Sequence, residues 1–210
     1  LTVTTYYTHF KKFVKFLLSA NMAEIGVILF GLLLNLPLPL LPLQILWVNL
    51  VTDGLPALAL GVDNPDGDVM KRKPRNKDET ILKDTFSFIF FGGLLGTIIV
   101  LGLFYFNLHN GIEKARTIAL TSLILYELFL VFSARSEETV FKLKTNKWLF
   151  GAVAISLILH LIILYSPLHF IFKMSPFHIL DWIEVIVFSS LGLFFFEIKK
   201  IIWRSNKQIG

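Results

Sequence analysis

Apolar residues along this chain come in long blocks, and most polar residues fall between the blocks. A bilayer-spanning helix needs about 20 predominantly apolar residues. Six blocks meet that length, at roughly 13–34, 40–61, 85–108, 117–134, 148–165 and 179–202. The pattern predicts an all-α, polytopic bundle of six transmembrane helices. The gaps are short and leave no room for a soluble domain. Between the first two blocks stand Pro37, Pro39 and Pro42. Proline removes a backbone donor and disfavours helix in the residue before it, so this stretch is a turn. A turn this short makes the first two spans an antiparallel hairpin.

Composition agrees. The 210 residues are 55% hydrophobic and the mean hydropathy is +0.69, which a soluble domain seldom reaches. There is no cysteine, so disulfides contribute nothing. The formal charge of +5 points to nucleic acid only if its placement is ignored. Lys114, Arg116 and Lys173 flank the outer ends of the six spans; every other basic residue lies on the opposite side. That asymmetry predicts both termini in the cytoplasm and excludes a nucleic-acid partner. Leu1 follows no signal peptide, and the chain reads as a piece of a longer protein.

Polar residues inside the spans change the picture most. Asn49, Thr52 and Asp53 stand at i, i+3 and i+4, on one face of the second span. A carboxylate at mid-membrane depth costs roughly 2.5–3.5 kcal/mol on insertion scales, so it is usually retained for an ion path, a proton relay or a buried partner. Gly54 and Pro56 follow at once, and the backbone is expected to leave regular helix between Asp53 and Pro56, freeing carbonyls beside the side-chain oxygens. The first span carries Asn21 and Glu24 on one face. Each acid lies about 11 residues from the hairpin turn, about 16 Å at helical rise, so Glu24 and Asp53 are expected at one depth. Glu127 is the one charge within the fourth span. The alternative is structural: a kinked span with polar residues that glue helices together, and protonated carboxyls bonded to neighbouring backbone.

Other features carry less. Gly92 and Gly96 form a small-xxx-small pair for close helix packing. His160 reads as a bonded packing histidine. Asp181 and Glu184 lie where an interface can solvate them, and Glu197 and Lys200 can pair at i, i+3. Asp63, Asp66 and Asp68 open the longest polar connection. The Asp-x-Asp spacing with Gly67 lacks the closing Glu of an EF-hand. That connection reads as a solvated loop or a docking surface for a soluble domain.

Asn21, Glu24, Thr52, Asp53 and Glu127 therefore converge as hard oxygen donors. Such a set suits calcium, magnesium or manganese and disfavours zinc and copper. Calcium takes six to eight oxygens and tolerates irregular geometry. Three carboxylates held together cannot all stay charged without a cation, so calcium binding is expected to release protons.

The stretch LPLQILWVNLVTDGLPALALG, with Asn64-Pro65-Asp66-Gly67-Asp68 and Lys73-Pro74-Arg75 after it, resembles the sixth membrane helix of the P-type calcium pumps. The resemblance extends through Ser19-Ala20-Asn21 and Glu24, through Arg116-Thr117-Ile118-Ala119-Leu120, and through Leu159 to Tyr165. It covers essentially the whole chain as the family's membrane helices five to ten, closest to the sarco/endoplasmic reticulum type. It implies that Asn21, Glu24, Thr52, Asp53 and Glu127 bind a first calcium ion. Asn49 and the shared Asp53 would bind a second, completed by a fourth helix outside this chain. It implies that Asp66 and Asp68 couple the membrane part to a phosphorylation domain. Lys71 replaces a third acid of that loop, and Leu130 stands where the pattern has Asn. The resemblance also implies partners: the lipid bilayer, membrane helices one to four and the cytoplasmic domains of the same pump. Mg-ATP would be handled by those domains; this chain holds no DKTG phosphorylation motif. It contributes no catalytic residue of its own. The Phe-, Ile- and Lys-rich style points to a prokaryotic plasma membrane. Two rival classes stay open: a free-standing secondary cation transporter or channel, and a membrane interaction module that transports nothing.

Overall fold

The computed structural model describes residues 3–63, 81–136 and 146–209, with side chains over 9–63, 85–136 and 146–202. The described residues are helical with connecting turns. Six helices are long and apolar enough to cross a membrane: His9–Leu33, Pro42–Gly61, Thr85–Asn110, Ile112–Ala134, Lys147–Tyr165 and Ile179–Ile202. The protein is a multi-pass integral membrane protein.

α1 (Val3–Leu33) ends where Asn35 turns into the left-handed region at φ 57°, which Asn tolerates better than most residues. The Leu36 N–H then closes the last turn on the Gly31 carbonyl at 2.9 Å. Pro42 restarts the chain at the first position of α2 (Pro42–Trp47), where its missing N–H has no partner to lose. The second span is in three pieces. α2 gives way to a π-wound segment, Val48–Asp53, and this to α3 (Gly54–Gly61).

The non-α segment ends at Asp53 and the chain is α-helical again from Gly54, so the break meets the expected Asp53–Pro56 stretch only at Asp53 and lies mainly before it. Pro56 explains the shift. It is the third residue of α3, in a first turn whose N–H groups lack intrahelical acceptors anyway. In a π turn the Val51 carbonyl faces residue 56, which has no N–H. Ser156 donates its Oγ to that carbonyl at 3.0 Å. Thr52 Oγ1 donates to the Val48 carbonyl at 2.8 Å. The carbonyls released around the break are thus met by side chains.

α4 (Ile81–Asn107) runs along α1. Gly96 allows the approach: a Cβ there would lie 2.9 Å from Ala23 Cβ and 2.6 Å from the Tyr126 ring. α5 (Ile112–Ala134) is the centre of the bundle, packed on α4 and α8 (Ile179–Ile209). Of its most apolar stretch 89% of residues are buried, against 22% for the last span. α6 (Lys147–Tyr165) and the short α7 (Leu168–Phe172) close the other side.

Polar contacts gather at the two ends of the bundle. At one end Arg116 Nε donates to the Leu38 carbonyl at 2.9 Å, Gln44 Nε2 to the Phe172 carbonyl at 2.9 Å and Asn107 Nδ2 to Glu184 at 2.8 Å. Lys114 pairs with Asp181. Asp181 and Glu184 thus have protein partners where interfacial solvation alone was expected. At the other end Lys200 pairs with Glu197 at 2.7 Å, and Asp63 collects Lys12, Arg135 and Asn146. Helices alternating in direction account for both groups.

Candidate cation site

Three helices each bring one carboxylate to the middle of the bundle. Glu24 comes from α1, Asp53 from the end of the π segment and Glu127 from α5. They are 4%, 1% and 0% exposed. An oxygen from each lies within 4.8 Å of the others. The hairpin places Glu24 and Asp53 at one depth, and α5, enclosed on all sides, adds Glu127.

No donor group of the protein reaches either oxygen of Asp53 or of Glu127; the two carboxyls can bond only to each other, and only when one of them holds a proton. Two ionised carboxylates cannot donate to each other, so the group is short of positive charge. Buried polar groups are satisfied in the great majority of cases, and exceptions mark strain, catalysis or an ion. Glu24 differs. Asn49 donates its Nδ2 to both Glu24 oxygens, at 2.8 and 2.7 Å, and is 3.1 Å from the Ile45 carbonyl. The Asn49 amide thus sits where a cation would otherwise balance the carboxylate.

The other candidates occupy different positions. Thr52 is fully buried and its hydroxyl is bonded to its own helix. Asn21 is half-buried and donates to the Leu17 carbonyl at 2.9 Å, with no bond to the three acids. Asp66 and Asp68 lie outside the described residues. The donors brought together are oxygens, with no thiol or imidazole among them, which fits a hard cation. His160 is fully buried; its Nε2 lies 3.0 Å from Thr121 Oγ1, while its Nδ1 has no hydrogen-bond partner.

The residues matching the description "Cation transporting ATPase, C-terminus" are 37–202. The chain belongs to this family. Asn49, Thr52, Asp53 and Glu127 fall within the matched residues, and Glu24 lies before them. Among curated relatives, the chain is 45% identical over 195 residues to the "Calcium-transporting ATPase" of Bacillus subtilis, covering 90% of this chain and 22% of that protein. It is 34% identical over 252 residues to a "Probable calcium-transporting ATPase" of Trypanosoma brucei brucei, covering 96% and 25%. To the endoplasmic reticulum-type "Calcium-transporting ATPase 3" of Arabidopsis thaliana it is 30% identical over 235 residues, covering 95% and 24%. The chain spans about a quarter of the length of these relatives.

Sequence reasoning passed over two residues that matter to the site. Asp63, read as the start of a polar loop, is 3% exposed. Its Oδ2 accepts from Lys12 at 3.1 Å and Arg135 at 2.9 Å, and its Oδ1 from Asn146 at 2.7 Å. Burial acts to raise this carboxyl, but the Arg135 and Lys12 bonds and charges outweigh it and hold it below the usual carboxylate range. The partners are 51, 72 and 83 residues away, so no local pattern announces them. Tyr126 is the second. Its ring fits beside Gly96 and Gly192, and its hydroxyl donates to the Gly92 carbonyl at 2.5 Å. Tyr126 thus wedges α5, next to Glu127, against α4 and α8.

Proposed function

We propose that this chain is the ion-binding and translocating part of an ATP-driven calcium pump. The observation that carries the reading is the buried trio Glu24, Asp53 and Glu127, two of whose members are reached by no donor group of the protein. Such a group is expensive in a membrane and useful when a divalent cation enters. The names of the relatives supply the ion, calcium. In this reading Asn21, Glu24, Thr52, Asp53 and Glu127 bind one calcium ion, and Asn49 and Asp53 contribute to a second.

Glu24 accepts from the Asn49 amide, so a cation at Glu24 replaces that amide as its partner. Turning the side chain then presents Asn49 Oδ1 to an ion. The π turn gives Asn49 and Thr52 room to move. Without a cation the trio is neutralised by protons, and calcium entry expels them. This makes the pump a calcium–proton exchanger across its membrane.

The six spans correspond to helices five to ten of a P-type pump with both termini in the cytoplasm. Helices one to four and the cytoplasmic domains complete it. Those domains bind Mg-ATP and carry the phosphorylated aspartate, and the loop with Asp66 and Asp68 transmits phosphorylation to the membrane part. The membrane is a prokaryotic plasma membrane. The deciding experiment measures calcium bound per pump and calcium-dependent phosphorylation by ATP in the full-length protein. Saturable binding lost on Asp53→Asn is expected. Phosphorylation indifferent to calcium would refute the reading. Sealed vesicles should also show a pH change during transport, with counter-ion leaks excluded.

A further inference from the structure

The Asp63 cluster lies outside the proposed ion site, two residues past the end of α3, the last piece of the broken helix that carries Asp53. Ten residues separate the two acids, about 15 Å at helical rise. Asp63 bonds three other parts of the bundle: α1 through Lys12, the end of α5 through Arg135, and the start of α6 through Asn146. Asn146 has a second task. Its Oδ1 accepts from the Leu149 N–H at 3.1 Å and caps α6, so its amide is fixed before it reaches Asp63. His9 adds a contact from Nδ1 to the Gly61 carbonyl at 2.7 Å. α3 is then a short rod between this cluster and Asp53.

The far end of the broken helix is also tied. Gln44, fully buried, accepts from the Leu41 N–H and donates to the Phe172 carbonyl. Between the two tied ends lies the π segment with Asn49, Thr52 and Asp53. A π turn is a poorer winding than an α turn, whereas a buried ion pair resists losing one partner. Strain from a moving ion therefore goes into the turn and not into the Asp63 end.

We propose that Asp63 is a positioning residue: through α3 it holds Asp53 in register with Glu24 and Glu127 while the π turn rewinds to move Asn49 and Thr52. The inference rests on the calcium-pump reading above and adds an anchor to it.

The test uses the full-length pump in membranes. Asp63→Asn keeps the shape but removes the charge that holds Lys12 and Arg135. The calcium concentration for half-maximal phosphorylation, measured per phosphorylatable pump, should rise about tenfold, within the usual range of coupling between sites. Asn146→Ser keeps a good helix cap but loses the donor to Asp63, and should give a smaller rise in the same direction. A role confined to folding would lower the amount of phosphorylatable pump and leave its calcium dependence unchanged, which overturns the proposal. If Asp63→Asn yields no folded pump, Asn146→Ser decides by the same measure. Absence of calcium-dependent phosphorylation in the unmodified pump would sink the calcium reading itself, and the anchor with it.

Discussion

Asp53, in the broken helix, and Asp63, just past its end, are both buried carboxylates, yet their surroundings are opposite. Asp53 faces two other acids and no donor group of the protein reaches its oxygens. Asp63 has every partner a carboxylate could want: a lysine, an arginine and an amide. Burial alone therefore says little about what an acid is for. A satisfied carboxylate ties elements together. An unsatisfied group of them, in a medium where charge is expensive, makes sense as one half of a site whose other half is a cation. The contrast also divides the helix mechanically, into an end that is held and a turn that can change.

The contrast breaks first at Asp53. Asp53→Asn keeps the size and one oxygen, so packing should survive while, on the proposed reading, a ligand shared by two ions is lost. Cation-dependent phosphorylation by ATP should fall below detection in the intact pump. Glu127→Ala should do less, because Asn49 and Asp53 remain for a second ion. Calcium bound per pump is expected to drop by about half, since one of two sites would be lost. Near-normal binding in Asp53→Asn, or equal loss at both sites in Glu127→Ala, would remove Asp53 from its bridging role.

Asp63 should respond in stability as well as in calcium dependence. Asp63→Asn breaks the buried pairs with Lys12 and Arg135 and should lower the unfolding free energy, by at most about 3–5 kcal/mol. Its pH dependence has a definite sign. A carboxyl held below its ordinary value contributes stability above the unfolded value, about pH 4. That contribution disappears as pH falls through the folded value. Acid unfolding of the unmodified protein should therefore show a limb below about pH 4 that is flattened in Asp63→Asn. An unchanged acid limb would mean that Asp63 is not holding the helix ends together.

How far these two sites could be read in advance differs for physical reasons. The six spans were legible because a bilayer demands a length of apolar chain, and the helix limits fall within a few residues of the expected blocks. The fourth starts earlier, at Ile112, where Glu113 and Lys114 precede its apolar block and still continue the helix, and α1 and α8 run past their apolar blocks to Val3 and Ile209. Glu24, Asp53 and Glu127 were legible because an acid inside a span is conspicuous and a hairpin equalises depth. The Asp63 cluster was not. Its members sit where charge is normal, at span ends, and only the packing of four elements brings them together. The position of the helix break was half legible. Pro56 foretells a fault, but whether the lost donor is absorbed before or after it depends on Ser156, 105 residues away from Val51.

The wedge at Tyr126 sharpens the account of Glu127. Tyr126→Phe removes one buried hydroxyl bond to Gly92 and should cost about 1 kcal/mol. Gly96→Val should cost more, because its side chain enters space already filled by Ala23 and Tyr126. Both are read by thermal unfolding in detergent. If Tyr126 sets the rotation of α5, Gly96→Val should also weaken calcium binding, while Tyr126→Phe leaves it nearly unchanged.

The smallest effect is expected at Gly54, and it separates two explanations of the break. One holds that glycine lets the helix come apart. The other assigns the fault to Pro56 alone. Gly54 has ordinary helical angles, φ −59° and ψ −48°, which any residue adopts. A Cβ added there would meet only the Asn49 carbonyl oxygen, at 3.6 Å, an ordinary contact. Neither backbone nor space calls for glycine. Alanine in a helix is favoured over glycine by up to about 1 kcal/mol, so Gly54→Ala should leave stability equal or slightly higher. Calcium dependence of phosphorylation should stay within about threefold of the unmodified pump, since such a shift is under 1 kcal/mol. Pro56→Ala should act differently, restoring a donor and favouring a continuous α-helix at the expense of the π turn. A large loss of calcium binding in Gly54→Ala, with normal behaviour in Pro56→Ala, would transfer the fault to the glycine. It would also mean that the turn holding Asn49, Thr52 and Asp53 needs backbone freedom that its angles do not display.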